Sequence, residues 1–314
     1  MNPTAAARPD LFDLQVNGFA GVDFQQDELP LDDLEHAARA LRAHSTGRIL
    51  CTLITDRVDT LCRRLEYIES LCRSSPLLRA TFVGYHLEGP WLSPKSGYHG
   101  AHDPALMVRP TIDDADRLIA ASGDRLRLVT LAPELPDADL VTEHLVARCV
   151  CVAAGHTDAS EDDIDRAIAA GLTLCTHLGN AVPALLPRHD NVIQRLLARD
   201  ELTAVFIPDG LHLPPATLKN FVRAKPPGRV LFTTDCMAAA GAPAGRHTLG
   251  AIEVEVGEDR VVREPGKPNF AGSALTLDRA VENIVRLLDW SPEEARAACS
   301  SRVAAALGLP GHTN

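Results

Sequence analysis

Short apolar runs separated by longer segments of helical periodicity recur along this chain. Eight such runs stand out, at residues 11–16, 49–54, 82–87, 126–131, 149–154, 172–176, 203–207 and 230–234. Their apolar character is nearly continuous rather than alternating, which predicts strands buried on both faces. Between them, residues 31–44 carry apolar side chains at helical spacing. Residues 160–170 add an N-cap at Ser160, an acid in the first turn at Asp163 and a stop at Gly171. Strands alternating with helices predict parallel βα units, closed into a barrel or spread as a doubly wound sheet.

The polar residues that follow the runs favour the barrel. Gln15 and Asn17, then Thr55, Glu88, Glu134, His156, His177, Asp209 with His212, and Asp235 each stand at or just past the end of a run. In a (β/α)₈ TIM barrel all strand C-termini open onto one mouth, so these residues would converge there. A doubly wound sheet would scatter them along a line, and no glycine-rich nucleotide motif supports that alternative. One stretch breaks the pattern. Residues 252–256 alternate apolar with acidic side chains, 257–260 read as a turn and 261–262 as a return strand, predicting a hairpin inserted after strand eight within about 250–269. Residues 272–288 then read as the last barrel helix and 291–307 as one further helix. With no linker or internal repeat, residues 1–314 are expected to form a single domain.

Composition narrows the partners. A hydrophobic content of 46% and a charged content of 23% suit a globular protein with a large core. A net charge of -11 argues against a nucleic-acid surface, while leaving room for a small phosphorylated substrate held by one or two local cations. The eight cysteines read as small buried hydrophobes, notably Cys51, Cys149, Cys151 and Cys175, and the Cys149-x-Cys151 spacing does not fit a zinc knuckle. Residues 1–8 lack the apolar core of a signal peptide, and no run is long enough to span a bilayer. The expectation is a cytoplasmic protein without structural disulfides or membrane contact.

Within that frame some residues carry chemistry. Taken alone, Glu88 reads equally as a solvated strand-end acid, and His156 and His177 as core histidines. The two histidines, however, are 21 residues apart, one complete βα unit, which places them on adjacent strand ends. Two imidazoles and a carboxylate from neighbouring strands form the donor set of an open, catalytic metal site, where an ion polarises a carbonyl and acidifies water. Asp235 ends strand eight, and beside a bound cation it would stay ionised and serve as a base. His102 reads either as a donor to a carbonyl oxygen or as a surface loop histidine.

The motifs His86-Leu-Glu-Gly-Pro-Trp91, Gly100-Ala-His-Asp-Pro104, Leu131-Ala-Pro-Glu134, Ala154-Gly-His156, Thr176-His-Leu-Gly-Asn-Ala181, Asp209-Gly-Leu-His212, Thr234-Asp235 and Ala271-Gly-Ser-Ala-Leu-Thr276 occur in this order over nearly the whole chain. In this the sequence resembles the N-acetylglucosamine-6-phosphate deacetylase family of the amidohydrolase superfamily. The resemblance implies Glu88, His156 and His177 as metal ligands, Asp235 as the catalytic base and His102 as the histidine that polarises the carbonyl. It implies Asn180, Ala181, Arg188 and His212 as the residues that hold the sugar phosphate. Gln15-Val-Asn17 stands where many amidohydrolases carry the His-x-His of a second metal. One divalent ion, zinc for preference, is therefore expected, with Gln15 and Asn17 as a remnant of the second site.

The reaction implied is hydrolysis of the acetamide of N-acetylglucosamine 6-phosphate to glucosamine 6-phosphate and acetate. Its alternatives are deacetylation of another acetamido sugar, such as N-acetylgalactosamine 6-phosphate or a nonphosphorylated one, or a catalytically weak sugar-phosphate-binding protein. Relatives usually add a small β-sandwich domain, most of which this sequence is expected to lack, with the hairpin as a remnant. An apolar surface bared in this way would favour a homo-oligomer, expected to be a dimer. Gly179 and Pro208 also depart from the family pattern beside the expected sugar pocket.

Overall fold

The computed structural model describes residues 10–265 and 270–311. Eight parallel strands form one sheet in chain order. They are β1 (Leu11–Val16), β2 (Thr46–Ile54), β3 (Phe82–Glu88), β4 (Leu126–Leu131), β5 (Cys151–Ala154), β6 (Leu174–Cys175), β7 (Thr203–Phe206) and β8 (Val230–Phe232). Helices follow them in turn: α1 (Leu31–Ala43), α2 (Val58–Ser74), α3 (Ile112–Ala121), α4 (Ala138–Ala147), α5 (Glu161–Ala169), α6 (Val192–Leu197), α7 (Pro215–Ala224) and α8 (Leu277–Leu288). This is the expected barrel. Ser160 caps α5 through a reciprocal pair of hydrogen bonds with Asp163, and Gly171 stands just beyond the helix end at φ 103°.

Side-chain alternation along the strands separates two apolar regions. Phe12, Leu14, Leu50, Leu128, Ala153, Leu174, Val205 and Leu231 fill the barrel interior, while the opposite strand faces pack against the helices. The interior core is continuous with Val303, Ala304 and Leu307 from the last helix, which plug the end of the barrel remote from the strand C-termini. The plug has a visible cause. The Cys299 carbonyl accepts from the Phe12 backbone N–H at 2.8 Å, so the helix predicted over 291–307 breaks there into α9 (Pro292–Ala298) and α10 (Ser301–Ala306).

β1 and β8 close the barrel without a full ladder. One bridge joins Val16 to Cys236, and the Asn17 N–H donates to the Cys236 carbonyl at 2.7 Å. The rest of the seam is made by Asp13, whose buried carboxylate accepts the hydroxyls of Thr233 and Thr234 and the backbone N–H groups of Gln15 and Thr234. Burial raises the Asp13 pKa, and the donated hydrogen bonds oppose the rise. Asp13→Ala would leave those donors unpaired in a dry interface. The expected loss is about 2–4 kcal/mol of unfolding free energy, checked by urea denaturation, with Asp13→Asn losing less.

Three further expectations need correcting. The inserted feature is a three-stranded antiparallel sheet rather than a hairpin: β9 (Gly245–Leu249) precedes β10 (Ile252–Val256) and β11 (Val262–Arg263), and the last four residues of the expected hairpin segment, 266–269, lie outside the described residues. β9 is exposed and polar over most of its length, so no apolar pattern announces it. The last barrel helix starts at Leu277 and not at residue 272, because Gly272 lies at φ 82° and Ser273 makes a strand-like bridge to Cys236. Cys149 is exposed, two residues before β5 begins, although all eight cysteines are unpaired as expected. Among the described residues, no helix is long and apolar enough to cross a membrane.

Candidate active site

The strand C-termini surround a cavity of about 550 Å³ lined by Glu88, His102, His156, His177, His212 and Asp235 among others. Glu88 is the last residue of β3, and the other five are carried on the loops of this mouth. His156, His177 and Asp235 all adopt left-handed backbone, with φ of 51°, 28° and 49°. That conformation is unfavourable by on the order of 1 kcal/mol or more for a non-glycine residue and marks sites where geometry is imposed from outside. Gly100 is needed for closeness: a Cβ there would stand 3.0 Å from the His156 ring.

Glu88 Oε1 lies 3.1 Å from His156 Nε2 and 2.8 Å from His177 Nε2, and among the described residues these three form the only cluster suited to holding a metal. The His156 Nδ1 faces the Tyr98 carbonyl at 3.0 Å, so Nδ1 must carry the proton. Burial and the neighbouring His102 hold the His156 pKa down to about 4 against the pull of Glu88, so the ring is neutral and Nε2 offers a lone pair. A lone pair aimed at a carboxylate oxygen is repulsive unless a cation stands between them. The donors present thus fit a divalent ion. For Glu88, burial opposes ionisation, but contact with the histidines, His102 foremost, outweighs it and holds its pKa well below the usual range. For His177, burial lowers the pKa while the bond and charge of Glu88 raise it further, to a net increase.

Asp235 is half-buried at the cavity wall, and desolvation followed by the charge of Glu88 pushes its pKa up to about 6. Its Oδ1 accepts from the Asn17 side-chain amide at 2.9 Å. Asn17 therefore orients the Asp235 carboxylate, while its own Oδ1 and both amide atoms of Gln15 are buried without hydrogen-bond partners. Beneath the cluster runs a polar belt inside the barrel. His86 Nε2 meets Thr130 Oγ1 at 2.9 Å, and Thr130 meets Thr176 at 2.6 Å.

Comparison with known proteins agrees with this geometry. The chain is 36% identical over 312 residues to the Bos taurus N-acetylglucosamine-6-phosphate deacetylase, covering 96% of this chain and 74% of that protein. It is 34% identical over 304 residues to the N-acetylgalactosamine-6-phosphate deacetylase of Escherichia coli O157:H7, covering 96% and 78%. Among solved structures, a variant of the Mycobacterium smegmatis N-acetyl-D-glucosamine-6-phosphate deacetylase in complex with N-acetyl-D-glucosamine-6-phosphate superposes with a TM-score of 0.87 at 30% identity, covering 99% and 82%. The chain belongs to the N-acetylglucosamine-6-phosphate deacetylase family. No family model matches the sequence.

For this deacetylase fold the remaining expected residues divide. Asn180 and Ala181 line the cavity beside His177, Ala181 with a left-handed φ of 51°. His212 lines it too, with Nδ1 held by Asp209 at 2.5 Å, so that Nε2 is left to face a ligand. Arg188 does not join them: it is exposed and stands outside the cavity wall. Nor is Glu134 part of the wall, since it braces the loop after His156 by accepting from Thr157 and from the Asp158 N–H. A side chain at Gly179 would meet Leu213 and Phe221 rather than the cavity. Three contributors escaped the sequence reading: the Tyr98 carbonyl, the Phe270 ring 4.9 Å from that of His212, and Asp13. A backbone carbonyl carries no sequence signal. Asp13 did carry one, as a lone acid inside an apolar strand.

Proposed function

We propose that this protein hydrolyses the acetamide of N-acetylglucosamine 6-phosphate to glucosamine 6-phosphate and acetate. The observation that carries the reading is the convergence of Glu88, His156 and His177 on one point, with Asp235 and His102 lining the same cavity in a chain of the deacetylase family. Glu88, His156 and His177 would hold one divalent ion, which when bound supplies polarisation of the acetyl carbonyl and a more acidic water. Asp235, fixed by Asn17, is placed to take the proton of the attacking water and return it to the leaving nitrogen. His102, with Nε2 3.6 Å from Glu88 Oε2, is placed to donate to the carbonyl oxygen as negative charge develops on it. Asn180, Ala181 and His212 would position the sugar phosphate, and Arg188 would approach from the rim.

Zinc, a cytoplasmic setting and a homodimer belong to the same reading. Two imidazoles and one carboxylate suit zinc, and eight unpaired cysteines suit a reducing compartment. Leu185, 91% exposed on the loop beside the cavity, is an apolar surface that a second copy would cover. The likeness to an N-acetylgalactosamine-6-phosphate deacetylase favours the C4 epimer as a second substrate. Acetate release over a panel of phosphorylated and free acetamido sugars tests the assignment, and activity confined to unphosphorylated sugars would overturn it. His212→Ala and Arg188→Ala are expected to raise KM roughly tenfold or more for phosphorylated substrates and to leave it unchanged for free sugars, as befits loss of a hydrogen bond to a charged group.

A further inference from the structure

We propose that Thr55 is a positioning residue for the hydrolysis, fixing the tautomer of His102 so that its Nε2 presents a proton to the cavity. The inference rests on His102 acting as the oxyanion donor. Thr55 follows β2, and both it and His102 are buried. Its backbone N–H donates to His102 Nδ1 at 3.3 Å, and its hydroxyl stands 2.8 Å from the same nitrogen. An amide N–H can only donate, so Nδ1 must offer its lone pair and the ring proton must sit on Nε2. The opposite tautomer would set Nδ1–H against the amide N–H and turn the Nε2 lone pair toward the Glu88 carboxylate, 3.6 Å away.

The surroundings are built to keep Thr55 there. Its hydroxyl has two acceptors in reach, the Glu88 carbonyl at 3.3 Å and His102 Nδ1 at 2.8 Å, and its single hydrogen can serve one of them fully. A Cβ on the next residue, Gly89, would overlap that hydroxyl, so glycine makes the room as well as adopting φ 91°. Gln25 braces the strand end: its side-chain amide donates to the carbonyls of Asn17 and Thr52, and its oxygen accepts from the Ile54 N–H at 3.0 Å. With the hydroxyl hydrogen turned to Nδ1, the nearer acceptor, imidazole electron density is drawn toward Nδ1. Nε2–H then becomes the stronger donor to a developing oxyanion.

The test combines kinetics with nitrogen NMR on zinc-loaded protein labelled with ¹⁵N-histidine, His102 being assigned by its loss in His102→Gln. The wild-type spectrum should show the proton on Nε2. Thr55→Val, which removes the hydroxyl and its hydrogen bond to Nδ1 but keeps the backbone N–H, should lower kcat about tenfold with KM within about twofold, since the support matters only as charge develops. It should also move the Nδ1 resonance toward that of an unbonded imine nitrogen. Thr55→Ser should restore both. A wild-type proton on Nδ1, or native kcat in Thr55→Val while His102→Gln is slow, overturns the role of Thr55. Native kcat in His102→Gln overturns instead the reading of His102 on which it rests.

Discussion

Replacing Asp235 by asparagine leaves a protein that binds metal and substrate but turns over roughly a thousandfold more slowly, the loss expected of a group that both accepts and returns the proton. The substitution keeps an oxygen for the Asn17 amide at the 2.9 Å contact, so the loop should hold its conformation and the fold its stability. Elemental analysis should find the same metal content as in the parent. The pH profile gives a second check. Burial and Glu88 push the Asp235 pKa up to about 6, and a bound dication acts in the opposite direction, so the acid limb of kcat/KM should lie at or below that value. Activity is present above this limb and is lost as the pH falls through it. Near-native kcat in Asp235→Asn would show that the proton is handled elsewhere.

The second large effect concerns the metal. Glu88 is the one carboxylate of the cluster and touches both imidazoles, so Glu88→Gln is expected to abolish stoichiometric metal binding and with it acetate release. Stability supplies an independent readout. An ion that binds only the folded state stabilises it by about 4 kcal/mol at a thousandfold excess over Kd, so zinc should raise the melting temperature of the parent protein. In Glu88→Gln that increment should vanish, and the metal-free melting temperature at neutral pH should fall as well, because a carboxylate that the folded state keeps ionised, and that raises the pKa of His177, has been replaced by a neutral amide. A full zinc-dependent shift in the variant would mean that the ion sits elsewhere.

The fold was legible because it rests on burial. Each of the eight apolar runs is a strand, and the one-βα-unit spacing of His156 and His177 does bring them to Glu88. Strand ends were less legible: β2 begins at Thr46, and β6 contains only Leu174 and Cys175, because the bonding partner rather than the run sets the length. The break at Cys299 was invisible for a related reason. It depends on a carbonyl captured by Phe12, far away in sequence. β9 was missed because an exposed strand of an antiparallel sheet needs no apolar face.

The sequence by itself determined the alternation of strand and helix, the residue types that reach the barrel mouth and the resemblance to a deacetylase family. Each is a local property of composition and spacing. Tertiary structure alone decided which hydrogen bond each of those residues makes. Asn17 turns to Asp235, the Tyr98 carbonyl claims the proton of His156, Thr55 claims the lone pair of His102, and Arg188 stays outside the cavity. These pairings join segments tens to hundreds of residues apart. Hydrogen-bond geometry is set by closure of the barrel, which no local pattern encodes.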